Sequence, residues 1–178
     1  VSVRSIWYAS LRIVGDADLF IELVETSSRH ARYLFRFASQ EFRADRRIVL
    51  ATVKKDGRAI EYAANELLND REIVLTAVAS HGGALRFVST KHKDDPEVVL
   101  TALASRGGLQ NRRGWKFKFP LRELSALLVH ASDRLLHDPH FAMDAVKTNG
   151  WALFRFPLLL ADVREYVLAA VAQNGEVL

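Results

Sequence analysis

The chain has 178 residues, of which 49% are hydrophobic and 26% are charged, with a formal net charge of +4. This composition is typical of soluble proteins, and no apolar run approaches the roughly 20 residues that a membrane-spanning helix needs. The absence of cysteine excludes disulfides and thiolate metal sites, and the sequence does not indicate a cellular compartment.

The chain is built from copies of one unit, of which the clearest runs from Asp70 to Asp94. A shift of 25 residues superposes this unit on residues 45–69 in one direction and on the segment opening at Asp95 in the other. In chain order we read a half unit over residues 1–15, units opening at Asp16 (degenerate), Asp45, Asp70, Asp95 and Asp138, and a half unit over residues 162–178. Neither end resembles the polar repeat that normally closes a solenoid. We therefore interpret the chain as a fragment of a longer array, and because no Ser/Gly linker or low-complexity tract separates the units we interpret it as a single domain.

Each unit opens with an Asp that we expect to cap a helix. The carboxylate of a capping Asp accepts hydrogen bonds from free amides of the first turn and suits the helix dipole. Pro96 and Pro139 follow two of these Asp residues, at the position where a missing amide costs nothing. We expect the helices to end at glycines in the left-handed conformation. These glycines are Gly57, Gly82, Gly107, Gly150 and Gly175.

Apolar residues recur at helical spacing in both halves of the unit. We therefore predict an all-α fold with two short helices per unit. A helix pair this short cannot bury its apolar face alone, so we predict a solenoid-like stack of pairs, with its handedness undetermined. One position of the unit holds a small residue in four copies, which indicates a close approach of neighbouring helices. These residues are Ala77, Ala102, Ala145 and Ala170.

The repeated pattern of an opening Asp, an apolar run and a closing Gly resembles the family called domain of unknown function 4116. The resemblance is carried by residues 74–78 with Gly82 and residues 84–85, by Asp162 with residues 167–171 and 174–175, and by Asp138 with residues 145–150. It covers most of the chain apart from the degenerate unit and an insertion described below. The resemblance implies a helical-repeat fold and implies no activity.

No pattern of residues in the chain indicates catalysis. There is no nucleophile elbow, no phosphate-binding glycine loop and no acid pair at a persuasive spacing. His137 and His140 have a spacing that can bind a metal, but the helix opening at Asp138 leaves His137 outside it, and no third ligand follows. His81 and His92 flank a loop, where we expect both side chains to be exposed. We therefore predict that the protein is not an enzyme and holds no cofactor or metal.

The unit opening at Asp95 is interrupted by an insertion of roughly residues 108–125, after which the register returns at Ala131, Leu135 and Asp138. Between residues 106 and 122 the chain carries six Arg and Lys residues and no acid. Aromatic residues alternate with two of the lysines, as in a short extended segment.

Three interpretations of the insertion remain open. Interleaved basic and aromatic residues can grip phosphates and stack on bases, or they can dock on an acidic protein surface with the aromatics as anchors. They can also simply fold onto the array and leave the lysines in water. We expect a scaffold or protein-interaction module that could serve as a structural component of a larger assembly, with RNA or single-stranded nucleic-acid binding as the alternative. The expected contact residues are Arg112, Arg113, Trp115, Lys116, Phe117 and Lys118.

Overall fold

Helices begin at the positions where the opening Asp residues predict them. The computed structural model describes residues 16–27, 30–105, 127–156 and 163–173, and these residues form α-helices and 3-10 helices without any strand. The all-α prediction is therefore confirmed for this part of the chain. The first helix of each unit is labelled here in chain order. The labels are α1 (Ala17–Thr26), α2 (Arg46–Lys55), α3 (Arg71–Ser80), α4 (Pro96–Ala104), α5 (Pro139–Thr148) and α6 (Val163–Gln173).

Asp side chains cap helices α1 to α5. The Asp70 carboxylate accepts hydrogen bonds from the amides of Glu72 and Ile73 at 3.0 and 3.2 Å. Asp16, Asp45, Asp95 and Asp138 accept in the same way at their own helices. The capping prediction is confirmed for these five residues, and Asp162 lies outside the described residues.

The second half of the unit is not the single helix that the sequence predicts. After α2, α3 and α5 the chain forms the 3-10 helices Gly57–Tyr62, Gly82–Arg86 and Gly150–Arg155. Short helical turns follow in most units, including Thr90–Lys93 and Asp133–Leu136. The degenerate unit instead has the α-helices Ala31–Arg36 and Gln40–Ala44.

An extended residue divides this second half in two. Ser39, Ser89 and Ser132 have ψ angles of 163°, 158° and 148°, which interrupt the helical run. The hydroxyl groups of Ser39 and Ser132 then accept from an amide three residues later and start a new turn. Each piece that remains is short, and short pieces are where 3-10 geometry is found.

The prediction that glycines close the first helices in the left-handed conformation is wrong for Gly57 and Gly82. Neither residue has φ in the left-handed region. The helices end instead at extended residues, Asp56 and His81, with φ of −145° and −154°, and each glycine begins the 3-10 helix that follows. Gly150 occupies the same position after Asn149. Gly107 and Gly175 lie outside the described residues.

Glycine is required here because two units approach closely. A Cβ atom at Gly57 would lie 2.0 Å from the carbonyl oxygen of Ala77, and a Cβ at Gly82 would lie 2.4 Å from that of Ala102. Both alanines are buried, as are Ala145 and Ala170. The prediction of close approach at this position is therefore confirmed for the pairs of units that meet at Ala77 and Ala102.

Each long helix packs against the long helix of the next unit, in the order α1, α2, α3, α4, α5 and α6. Fully buried aliphatic side chains such as Ile48, Val49, Ile73 and Val74 fill the space between them. Burial of each such side chain stabilises the fold by roughly 1.5–3 kcal/mol relative to exposure.

Packing continues after the insertion, since α4 contacts α5 and Leu135 is fully buried. Among the described residues, no helix combines the length and the apolar composition that crossing a bilayer requires.

Candidate partner-binding surface

The six residues expected to contact a partner lie outside the described residues, which stop at Ser105 and resume at Leu127. They are Arg112, Arg113, Trp115, Lys116, Phe117 and Lys118. The structure does describe the two points where this segment joins the array. A Cβ atom at Gly82 would lie 2.7 Å from Ser105 Oγ and 2.8 Å from Leu127 Cδ1. The described residues on either side of the insertion, Ser105 and Leu127, therefore lie at one place, beside Gly82.

Hydrogen bonds fix the position of Ser105, the last described residue before the insertion. The Gly82 amide donates to Ser105 Oγ at 2.7 Å, and the Ser105 hydroxyl donates to the Ala102 carbonyl at 2.9 Å. Ser105 is buried, so these bonds are shielded from water. The same link joins Gly57 to Ser80 at 3.1 Å, one unit earlier. Ser105, the last described residue before the insertion, thus makes the same contact that joins the two preceding units.

Hydrogen bonds also fix the residues that follow the insertion against the preceding unit. The Ser132 amide donates to the Lys93 carbonyl at 3.0 Å, which repeats the bond from Ala64 to Arg43 at 2.9 Å. The Ser132 hydroxyl donates to the Asp94 carboxylate, and Arg134 Nε donates to both Asp94 oxygens at 2.9 and 3.0 Å. Together, Ser132 and Arg134 hold the pKa of Asp94 below its ordinary value. The contact between units is therefore preserved across the insertion.

Along the edge formed by the helix starts, arginines are paired with acids of the next unit. Arg46 Nε donates to Asp70 at 2.7 Å, and Arg46 also binds Glu72. One unit later Arg71 binds Asp95 at 2.9 Å and also Glu97. The hydrogen bond from Arg46 holds the pKa of Asp70 below its ordinary value. We call these pairs of Arg46 and Arg71 the ionic ladder. Because exposed ion pairs contribute only about 0–1 kcal/mol each, the ionic ladder aligns the units more than it stabilises them.

A second recurring feature lies at the eighth position before each following Asp, and sequence reasoning missed it. This position always carries a ring, and we call the set the ring column. Its members among the described residues are Phe37, Tyr62, Phe87, His130 and Phe154. The signal was available in the sequence, but it appears only when residues are counted backwards from the next Asp. Counting forwards fails because the degenerate unit, the insertion and the shortened fifth unit shift the position.

Arginine side chains lie over three rings of the column. The guanidinium carbon of Arg36 is 5.7 Å from the centroid of Phe37, and that of Arg86 is 4.7 Å from the centroid of Phe87. Arg32 lies 5.7 Å from the centroid of Tyr62. These distances are within the range of cation–π attraction.

Positive charge accumulates where the ring column passes the ends of the insertion. Burial, followed by the charges of Lys93 and Arg86, lowers the pKa of His130. Within the described residues, neither Arg86 nor Lys93 forms an ion pair. The neighbourhood of the insertion is therefore basic even without the six cations of the sequence between residues 106 and 122.

His92 and His81 are at least partly buried and form hydrogen bonds that belong to the fold. His92 is buried, with Nε2 3.2 Å from the Asn69 carbonyl oxygen, so the prediction that it is exposed is wrong. This position follows the extended Ser89 and faces the preceding unit. His81 is half-buried and accepts from the Gly83 amide at 3.1 Å. Burial, followed by the charge of Arg58, lowers the pKa of His81.

His137 and His140 are both exposed, and His137 Nδ1 lies 2.7 Å from the Asp133 carbonyl oxygen. In the described part of the chain, no three His, Asp or Glu side chains converge as metal ligands would.

Comparison with known proteins identifies a family and nothing more specific. The family model described as Domain of unknown function (DUF4116) matches residues 16–68 and 70–108, two adjacent segments that together cover more than half of the chain. Neither a curated protein nor a solved structure matches the chain. The matched segments contain the capped helices α1 to α4 and the glycine contacts between their units. The chain belongs to the family of proteins described as Domain of unknown function (DUF4116).

Proposed function

We propose that this chain is a non-catalytic scaffold whose units stack as in a solenoid and whose basic insertion contacts a protein partner. The observation that carries the proposal is the convergence of Ser105 and Leu127 at Gly82. An insertion anchored in this way is added to the array without changing how the units pack. A repeat protein commonly places its binding elements in such insertions.

The roles of the polar groups in the repeat support a scaffold over an enzyme. The opening Asp carboxylates are engaged as helix caps, and two of them also take part in the ionic ladder. The serines at the end of the first helices bind glycine amides of the preceding unit. These groups hold the array together, which leaves the insertion and the ring column as surfaces for recognition.

The proposal is tested by affinity capture from an extract of cells that express the protein. The test variant changes Arg112, Arg113, Lys116 and Lys118 to Ala. A matched control removes the same charge from exposed lysines elsewhere, namely Lys54, Lys55, Lys91 and Lys147. We expect specific protein partners to be retained by the original chain and by the control and lost by the test variant. Equal retention by all three proteins would contradict a role for the insertion.

Affinity for random single-stranded RNA, measured across a salt series, tests the competing function. Binding to phosphates weakens steeply as salt rises because counterions are released. We expect weak binding that does not distinguish the test variant from the control. Strong, salt-sensitive binding that is lost only in the test variant would replace the protein-partner proposal with a nucleic-acid one.

A further inference from the structure

The ring column differs from the edge of the helix starts in how its cations are used. Arg46 and Arg71 on that edge each bind two carboxylates of the next unit. On the ring column, Arg36 and Arg86 are exposed and form no ion pair with any described residue. The fold therefore leaves unpaired positive charge on one particular surface.

Those two guanidiniums are held by rings instead of by acids. Arg36 lies over Phe37 and Arg86 lies over Phe87, so each guanidinium is partly ordered before any partner arrives. Because neither guanidinium forms an ion pair with a described residue, its N–H groups stay available to bind the two oxygens of a carboxylate. The exposed rings of the column supply apolar contact surface, since Phe37 is 65% exposed and Phe154, near the other end of the column, is 58% exposed.

We propose that the ring column, with Arg36 and Arg86, is a docking strip for an extended acidic polypeptide segment. The inference rests on the proposed protein-interaction function and adds the chemistry of the partner. The unpaired guanidiniums select for carboxylates. The recurrence of one ring per unit along consecutively packed units favours a partner that runs along the array.

The same geometry favours a peptide over a nucleic acid. Bases bind proteins by stacking on free aromatic faces, whereas Arg32, Arg36 and Arg86 lie over the faces of three rings in the column. At Tyr62 the overlying Arg32 is already paired with Glu61 at 2.6 Å. The strip therefore presents carboxylate-binding guanidiniums at Phe37 and Phe87. The unit between them, at Tyr62, is neutral because Glu61 already pairs with Arg32.

Fluorescence anisotropy of labelled poly-L-glutamate, titrated with the full chain, tests the proposal. Arg36→Gln combined with Arg86→Gln should weaken binding about tenfold, since each guanidinium provides charge-assisted hydrogen bonds. Phe37→Ala leaves the charge unchanged and should weaken binding by about threefold, because it removes the aromatic ring over which Arg36 lies and which supplies apolar contact. Lys54→Gln combined with Lys55→Gln removes the same charge as the first variant from another surface and should change affinity less than about twofold. Circular dichroism checks that each variant is folded.

The proposal is overturned if poly-L-glutamate does not bind at low salt, or if the lysine variant loses as much affinity as the arginine variant. Tighter binding of oligouridylate, lost in the same arginine variant, would also overturn it and would identify a nucleic-acid surface. These outcomes are separate from the proposed function. If partner capture still depends on the insertion while the arginine variant binds poly-L-glutamate normally, the scaffold proposal stands and the docking strip falls.

Discussion

The contact between Gly57 and α3 makes a sharp prediction about how the units are joined. Gly57→Ala would place a Cβ atom 2.0 Å from the Ala77 carbonyl oxygen, 2.9 Å from the Ala77 carbonyl carbon and 3.0 Å from the His81 nitrogen. All three are backbone atoms, so no change of side-chain rotamer relieves the contact. Because real Cβ contacts do not fall under 3.0 Å, α3 must move away from the 3-10 helix by about an ångström.

The cost of this movement follows from three terms. Overpacking of a close contact costs about 1–3 kcal/mol. Movement of α3 also strains the hydrogen bond from the Gly57 amide to Ser80 Oγ, at 3.1 Å, which contributes about 0.5–1.5 kcal/mol. Alanine offsets part of this loss, because it lowers the entropy of the unfolded chain by about 0.4–1 kcal/mol relative to glycine. We expect Gly57→Ala to reduce the free energy of unfolding by about 2 kcal/mol.

Urea unfolding followed by circular dichroism at the helical band measures the effect, and Gly83 provides a matched control in the next unit. A Cβ atom at Gly83 would contact only the His81 ring, at 3.1 Å, and that side chain can move. Gly83→Ala should therefore change the free energy of unfolding by less than about 1 kcal/mol. If the Gly57 and Gly83 variants unfold at the same urea concentration, close approach does not explain the glycine of the repeat.

Other predictions test the remaining parts of the unit. Ala77→Leu should overpack α3 and cost about 1–3 kcal/mol, and an unchanged thermal melt would contradict its assignment to the contact between helices. Ser105→Ala leaves the buried amide of Gly82 without its acceptor and should cost about 1–3 kcal/mol in urea unfolding; an unaltered midpoint would argue against this anchor. Asp70→Ala removes a helix cap and should lower the free energy of unfolding by about 1 kcal/mol at neutral pH. The loss should be smaller in acid, because the pKa of Asp70 is lowered in the folded state and the stabilisation by its carboxylate disappears as the pH falls through that pKa. The lowered pKa of His81 means that folding favours its neutral ring. The neutral ring therefore contributes fully to the stability of the folded state above the unfolded pKa of about 6.5, and this stabilisation is lost as the pH falls below that value. His81→Asn should keep the helix cap and make the melting temperature depend less on pH between about pH 5 and 8. A dependence on pH equal to that of the original chain would show that titration of His81 does not affect stability.

The first helices were predictable because their signals are local. An Asp that caps, a Pro at the first position and apolar residues at helical spacing need no knowledge of neighbouring units, and Asp95-Pro96 shows all of this within α4. The burial of Ala77 and Ala102 was also predictable, since small residues recur at one position of the unit.

The errors come from contacts between units. The local pattern predicts Gly57 as a helix stop, whereas the constraint on it comes from the Ala77 carbonyl of the next unit. His92 flanks a loop, which predicts an exposed side chain, but its ring reaches the Asn69 carbonyl of the preceding unit. The second half of the unit carries helical periodicity, yet an extended serine such as Ser89 divides it into pieces too short for a regular α-helix.

The candidate surface was only partly predictable for a related reason. The basic and aromatic composition of the insertion is visible in the sequence, and the contact residues predicted there lie outside the described residues. The anchoring of Ser105 and Leu127 at Gly82 depends on tertiary structure and has no sequence signature. The ring column was hidden by differences in unit length and becomes visible once the structure fixes where each unit ends.

Replacing Trp115 with a photo-crosslinking amino acid is the strongest single test of whether the insertion binds a protein. After irradiation in cells that express the protein, each adduct is treated separately with ribonuclease and with protease. We expect crosslinked species that ribonuclease leaves intact and protease digests, and that are lost when Arg112, Arg113, Lys116 and Lys118 are changed to Ala. Adducts that ribonuclease removes, or no adduct at this position, would rule out a protein-binding insertion.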